Sequence, residues 1–431
     1  MIFAKSKKKT LVIGLDGVPL SLLKNLCSNG ITPQMAELFS NGLLQEMTVS
    51  LPEISAVSWP TFMTGVDSGT HGIFGFTDLT PETYKLTFPG YNQIKAPAIW
   101  DKLGEKGKRS VVINQPGTYP ARPIKGALVS GFVAIELVKS IYPPRYIGPL
   151  KRMDYQVDID TQRARKDHDY CLKELSRTLK VRREAFDLFW KEEDWDYFEI
   201  VLTGTDRLQH YLFHAVADES HKLHQRCMNY YQEVDNFVGY AVNKHLKENG
   251  KEAPWFLLSD HGFCLLEQEV SLNRFLMQKG FLHFEHDAPS SLEPIMENSV
   301  AFALDPSRIY LHYKNKYSKG RLSKNDGAKV KAEIIAALTE LKYEGRQVVK
   351  RVFDRDEIYY GSLAENGPDL VVLSHHGFDL KAAPDRTELF SISDLSGMHT
   401  FDDAVFFSSQ GEHLNPSKIA NVAPLILKTL E

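Results

Sequence analysis

Five short runs of near-continuous apolar residues constrain this chain more than any other feature. They are Thr10–Asp16 (TLVIGLD), Arg109–Asn114 (RSVVIN), Phe198–Thr203 (FEIVLT), Trp255–Ser259 (WFLLS) and Asp369–Ser374 (DLVVLS). None alternates apolar with polar, so each reads as a strand buried on both faces, which is the state of a strand in a parallel sheet. Parallel neighbours need long crossovers, and the amphipathic stretches Pro97–Gly107, Tyr170–Glu192 and Lys222–Asn249 supply helices for them. The expected fold class is α/β, with a mainly parallel central sheet and helices on both faces. At ~150 residues per domain, 431 residues allow about three domains, and one enlarged domain fits equally well. We expect a single domain over residues 1–431, interrupted by two cap-like insertions. The first, at about 133–165, carries the Pro- and Arg-rich YPPRYIGPLKRMDY, and the second covers about 264–350.

Composition narrows the function. Hydrophobic residues at 43% and charged residues at 25% belong to a folded chain. Lys plus Arg is 51 against 55 for Asp plus Glu, and a net charge of −4 argues against dedicated nucleic-acid binding. No apolar run reaches the ~18 residues that would span a membrane. The basic start Met1–Lys9 is followed by only five apolar residues, Leu11–Leu15, too few for a secretion signal, so it reads as a solvated tail. Cys27, Cys171, Cys227 and Cys264 form no CxxC pair and read as reduced thiols, which places the protein in the cytoplasm.

Ligands of open α/β sheets sit beyond the carboxyl ends of the strands. Here Asp16 ends the first run, Asp206 follows the Phe198 run, and Asp260-His261 ends the Trp255 run. Asp206 and His210 are spaced i, i+4, so a helix puts both on one face, where they can share a cation. Such a pair is also common on plain surfaces; three polar strand ends in one chain strengthen the metal reading. Mixed Asp/His donors suit zinc and, less selectively, manganese. In Leu51–Gly65 (LPEISAVSWPTFMTG) a helix should begin near Trp59–Pro60, because proline belongs in a first turn. Ser55 and Ser58 then stand at a helix N-terminus, which favours anions, although either serine could simply cap the helix.

In this order the motifs resemble the type I phosphodiesterase/nucleotide pyrophosphatase branch of the alkaline phosphatase superfamily. Asp16 stands on the first strand, Ser55 lies ten residues before Gly65 of Thr64-Gly65, and His71-Gly72-Ile73 follows. Asp206 and His210 match the family's Asp-x-x-x-His, and Ser259-Asp260-His261-Gly262 its Ser-Asp-His-Gly. Gly397-Met-His-Thr-Phe-Asp402 matches its late Gly-x-His-Gly-Tyr-Asp and supplies His399. The resemblance implies an alkaline phosphatase-like catalytic domain with two divalent metal ions, zinc first and manganese as the alternative. One ion would be held by Asp206, His210 and His399, the other by Asp16, Asp260 and His261, and Ser55 would be the nucleophile. Two departures stand out: Ser58 occupies a position often held by Asn in nucleotide pyrophosphatases, and Thr400 replaces a glycine.

The function these features imply is a metal-dependent phosphohydrolase acting on a small phosphate ester through a phosphoserine intermediate, with diesters preferred. Ser58, Arg207 and Arg274 are candidates to hold the phosphate oxygens; for each arginine the competing reading is a salt bridge. His214, His375-His376, Cys264, Asn114 and Thr118-Tyr119 are positional candidates only. A phosphomonoesterase or phosphomutase of the same superfamily stays open, as does a catalytically silent metal- or phosphate-binding protein. The sulfatase signature is missing around Ser55.

Overall fold

Four of the five apolar runs meet in one sheet. In the computed structural model, which describes residues 8–80, 82–411 and 416–431, that sheet has eight strands. They are β1 (Thr10–Leu15), β2 (Leu43–Met47), β3 (Ser110–Gln115), β4 (Gly126–Ser130), β5 (Ile141–Tyr142), β6 (Tyr197–Leu202), β7 (Trp255–Leu258) and β8 (Ala404–Ser408). Across the sheet the order is β2-β8-β7-β1-β6-β3-β4-β5. β1 runs parallel to β6, with Thr10 opposite Tyr197, and parallel to β7, with Leu11 opposite Trp255. β3 is parallel to β6 and β4, while β5 and β8 join antiparallel toward the edges. Every residue of β1, β3 and β6 is buried, which is why these strands show no alternation. Of the basic start, Met1–Lys7 lies outside the described residues.

Four helices bear on the site: α1 (Ser55–Thr64), α2 (His168–Glu192), α3 (Gly204–Ala217) and α4 (His224–Asn249). One face of the sheet, with Leu11, Ile13, Ile113, Phe198 and Ile200, packs with α2 and α4 residues such as Phe186, Phe189, Phe237 and Val238. Each such side chain contributes roughly 1.5–3 kcal/mol by leaving water. α2 starts where the Asp167 carboxylate accepts the N–H of Tyr170, an N-cap that fixes its first turn. α1 differs from expectation: it starts at Ser55, and Pro60 lies inside it. Pro60 forfeits the bond to the carbonyl of Ala56, but burial of every α1 residue except Ala56 outweighs that loss. The helix stops at Gly65, whose φ of 75° is left-handed.

The chain forms two compact units. One comprises Met1–Val66, Gly90–Phe263 and Leu395–Glu431, and the other Asp67–Pro89 and Cys264–Asp394. The stretch around 133–165 lies in the first unit and supplies the edge strand β5 and several short helical turns. The fifth apolar run departs from expectation. Its strand, Leu370–Ser374, sits in an antiparallel sheet of the second unit, between Arg308–Leu311 and Val349–Asp354. A strand buried on both faces reads as a continuous apolar run whichever way its neighbours point. Among the described residues, no helix is long and apolar enough to cross a membrane.

Candidate active site

The carboxyl ends of three central strands carry the first donors. Asp16 directly follows β1, Asp206 lies in the first turn of α3 after β6, and Asp260-His261 follow β7. Gly17 closes the turn after β1 with φ +70°; a Cβ there would stand 3.0 Å from the His261 ring. That turn aims the Gly17 N–H at Asp260 Oδ1, 3.1 Å away. His399 comes from the strand Gly397–Thr400, and Ser55 from the first position of α1.

Asp206 Oδ1, His210 Nε2 and His399 Nε2 form a triangle. Its edges are 2.9 Å between the imidazole nitrogens and 3.3 and 3.4 Å from them to the carboxylate oxygen. Each ring has its Nδ1 against a backbone carbonyl, His399 at 3.0 Å from Glu53 O and His210 at 3.3 Å from Gly397 O. A carbonyl only accepts, so Nδ1 must donate, and in the neutral rings both Nε2 atoms present lone pairs to each other. Only a proton or a cation makes that approach favourable. Ligand bonds of 2.0–2.2 Å at tetrahedral angles put donor atoms roughly 3.3–3.6 Å apart, close to this triangle.

A second group adjoins it. His261 Nε2 lies 3.4 Å from Asp260 Oδ2, 3.7 Å from Asp16 Oδ1 and 3.8 Å from Asp206 Oδ1. Its Nδ1 is 3.0 Å from Gly262 O, so here too the Nε2 lone pair faces inward. The geometry that can enclose an ion is met by Asp16, Asp260 and His261, and also by Asp206, His261 and His399, so His261 stands between the two groups. Ser55 Oγ sits beside them, 3.2 Å from His261 Nε2 and 3.4 Å from Asp16 Oδ1. Phe263 packs its ring against all three imidazoles, with centroids 4.9–5.8 Å away.

The electrostatics demand positive charge. Asp16, Asp206, Asp260 and His261 are buried together. Burial, and then the neighbouring carboxylates, hold the Asp16 carboxyl well above its usual range. Burial pushes Asp260 up to about 6, and pushes His261 well below the ordinary imidazole value. Burial also opposes charge on Asp206, but His210, His399 and Arg207 hold its carboxyl below the usual range. Asp206 Oδ1 and Asp260 Oδ2 are buried without a hydrogen-bond partner. A buried carboxylate oxygen with no donor is costly, and a divalent cation removes that cost. The donor set therefore fits divalent ions.

The six predicted ligand positions and Ser55 thus lie together in the first unit. The hydroxyl of Ser58 is fully buried on α1 and has no hydrogen-bond partner. Arg207 donates to Asp206 Oδ2 at 2.7 Å and, through Nε and Nη2, to Asp158 at 2.9 and 2.6 Å. Arg274 lies in the second unit, paired to Asp287 at 2.7 Å. The His214 ring lies edge-on to His221 and tilted against His168, and Asn114 donates to Val201 O and Thr203 Oγ1. His375 and His376 belong to the second unit. The residues that escaped sequence reasoning are Asp158 and Phe263, together with the carbonyls of Glu53, Gly262 and Gly397. Phe263 directly follows the Asp-His-Gly motif and could have been marked by that adjacency; the others carry no signal.

A sequence model of the type I phosphodiesterase/nucleotide pyrophosphatase family matches residues 10–402. No curated protein sequence matches the chain. Among solved structures, phosphonoacetate hydrolase from Sinorhizobium meliloti 1021 bound to phosphonoformate aligns with a TM-score of 0.65 at 14% identity, over 99% of this chain and 96% of that one. Murine ectonucleotide pyrophosphatase/phosphodiesterase 5 aligns with a TM-score of 0.54 at 15% identity, over 98% and 95%. The human protein of that name gives 0.56 at 14% identity, with the same coverage. At such identities the likeness establishes a common fold, that of alkaline phosphatase-like proteins.

Proposed function

We propose, from the premise that this chain belongs to the type I phosphodiesterase/nucleotide pyrophosphatase family, that it hydrolyses small phosphodiesters through a phosphoserine intermediate on Ser55, using two divalent ions, mainly zinc. The observation that carries this reading is the placement of Ser55 Oγ at the head of α1, within 3.2–3.4 Å of donors in a cluster of three carboxylates and three inward-facing imidazoles. Asp206, His210 and His399 would hold one ion, and Asp16, Asp260 and His261 the other. Bound ions of this kind stabilise charge on phosphoryl oxygens and lower the pKa of a hydroxyl or water beside them.

The chain's own part is positional and nucleophilic. Ser55 Oγ attacks phosphorus, the leaving-group oxygen departs with its bonding pair, and the serine proton ends on the released alcohol. Water then replaces Oγ at phosphorus and restores the hydroxyl. The N-terminal N–H groups of α1 and the Ser58 hydroxyl favour an anionic oxygen at this point. Ser58 is neutral, and the Arg207 guanidinium is bound to two carboxylates, so a second substrate charge finds little compensation. Diesters are preferred for that reason. The cytoplasm is the compartment in this reading, supported by four free thiols.

Two measurements test it. Protein expressed with ample metal should hold about two ions per chain, and kcat/KM for bis(p-nitrophenyl) phosphate should exceed that for p-nitrophenyl phosphate by more than about tenfold. Folded protein without metal would overturn the reading, and a monoester preference would make the enzyme a phosphomonoesterase.

A further inference from the structure

We propose that Arg207 is a positioning residue that presents Asp206 to the metal centre, and that Asp158 and Phe132 hold it in that task. This rests on the two-metal reading above. The guanidinium spends Nη1 on Asp206 Oδ2 at 2.7 Å, and Nε and Nη2 on Asp158 Oδ2 at 2.9 and 2.6 Å. One flat face is covered by the Phe132 ring, 4.4 Å from the guanidinium carbon. The residue is only 8% exposed. A guanidinium so engaged on its edges and one face has little left to offer a phosphate.

Its effect on Asp206 is specific. Binding Oδ2 fixes the carboxylate plane and leaves Oδ1, buried and without a hydrogen-bond partner, at the corner of the His210/His399 triangle. Asp206 is therefore held as a one-oxygen donor before any ion arrives. Asp158 is itself fixed, because its other oxygen accepts the Ile159 N–H at 2.8 Å. Asp158 belongs to the Pro- and Arg-rich excursion, after its strand β5, and Phe132 to the loop after β4, so irregular backbone on either side of β5 reaches the site through one arginine. A lysine could not replace it, since a single ammonium cannot span both carboxylates in a fixed plane.

The test uses the full chain, stripped with chelator and titrated with Zn²⁺ and separately Mn²⁺ against a chromophoric competitor. Wild type is compared with Arg207→Lys and with Asp158→Asn, the gentler change at a less buried residue. The expected result is that both variants lose about 10- to 100-fold in affinity for one ion and keep the other within about threefold. KM for the diester should stay within about threefold, and kcat lost at limiting metal should return with excess metal. Unchanged ion affinities with a raised KM would mean that Arg207 touches substrate and would overturn the proposal. Unchanged affinities and KM with only a lower Tm would overturn it too, as an ordinary buried ion pair. If Arg207→Lys does not fold, Asp158→Asn decides alone by the same readouts. Wild type that binds no ion would instead overturn the two-metal reading beneath it.

Discussion

Each imidazole of the site spends its Nδ1 on a backbone carbonyl, and that choice determines what its Nε2 can do. The partners are Glu53 O, Gly397 O and Gly262 O, and a metal centre built on these rings depends on them as much as on the histidines. The histidines, the aspartates and Ser55 were legible in the sequence because the side chain itself carries the chemistry. The carbonyls were not, since every residue has one and only the fold aims it. Asp158 was hidden for a related reason: one aspartate in an irregular stretch carries no periodicity to betray its partner. A separate residue, Glu199 on β6, makes a pH prediction. Tyr197 donates to one of its oxygens, the other has no partner, and burial pushes its carboxyl up to about 8. The folded state then keeps a proton that the unfolded chain releases above about pH 4.5. Glu199 therefore contributes stability that is complete below about 4.5 and is lost as pH rises toward about 8. Urea midpoints from about pH 5 to about pH 8 should fall less steeply in Glu199→Gln than in wild type. Parallel curves for the two proteins would refute this assignment.

The elements are matched to one another closely enough that a single methyl group should register. Gly14, on β1 two residues before Asp16, faces the Trp59 ring of α1, and a Cβ there would lie 2.6 Å from Trp59 and 3.0 Å from Val201. Trp59 is fully buried and stacks edge-on with Phe62, so it has nowhere to turn. Gly14→Ala should cost roughly 1–3 kcal/mol and, by shifting α1 against β1, move Ser55 relative to Asp16. We expect a lower Tm together with a fall in kcat that exceeds any change in KM; a variant with wild-type kcat would show that α1 is not held by this contact. The same helix illustrates where local rules end. Proline punctuation placed its start near Trp59–Pro60, whereas burial of almost the whole segment carries it back to Ser55. Strands β2, β4, β5 and β8 were not among those expected, whereas the positions of β1, β3, β6 and β7 were legible because full burial leaves an apolar run. Strand partners were not, and Leu370–Ser374 pairs antiparallel within the second unit for reasons that lie in Arg308–Leu311 and Val349–Asp354.

For the whole molecule, a net charge of −4 conceals a local excess: Asp16, Asp206 and Asp260 share one buried site beside Arg207, which also binds Asp158. Removing the ions that this site fits leaves that charge uncompensated, so chelation should destabilise the fold as well as silence it. Each ion present at ~1,000 times its Kd stabilises by about 4 kcal/mol, so two ions stabilise by about 8 kcal/mol, which for a chain of this size corresponds to a Tm roughly 9 °C above the stripped protein. A Tm indifferent to chelator would deny the site its ions. The central claim is narrower than occupancy: phosphoryl transfer passes through Ser55. It is tested most directly by acid-quenching the metal-loaded enzyme during turnover of bis(p-nitrophenyl) phosphate and locating the covalent adduct by peptide mass spectrometry. The account predicts an aryl-phosphoryl adduct on the peptide holding Ser55, absent in Ser55→Ala, whose turnover should fall by roughly 10³-fold or more while its metal content persists. Near-normal turnover in Ser55→Ala with no adduct in either protein would contradict it and assign the attack to water.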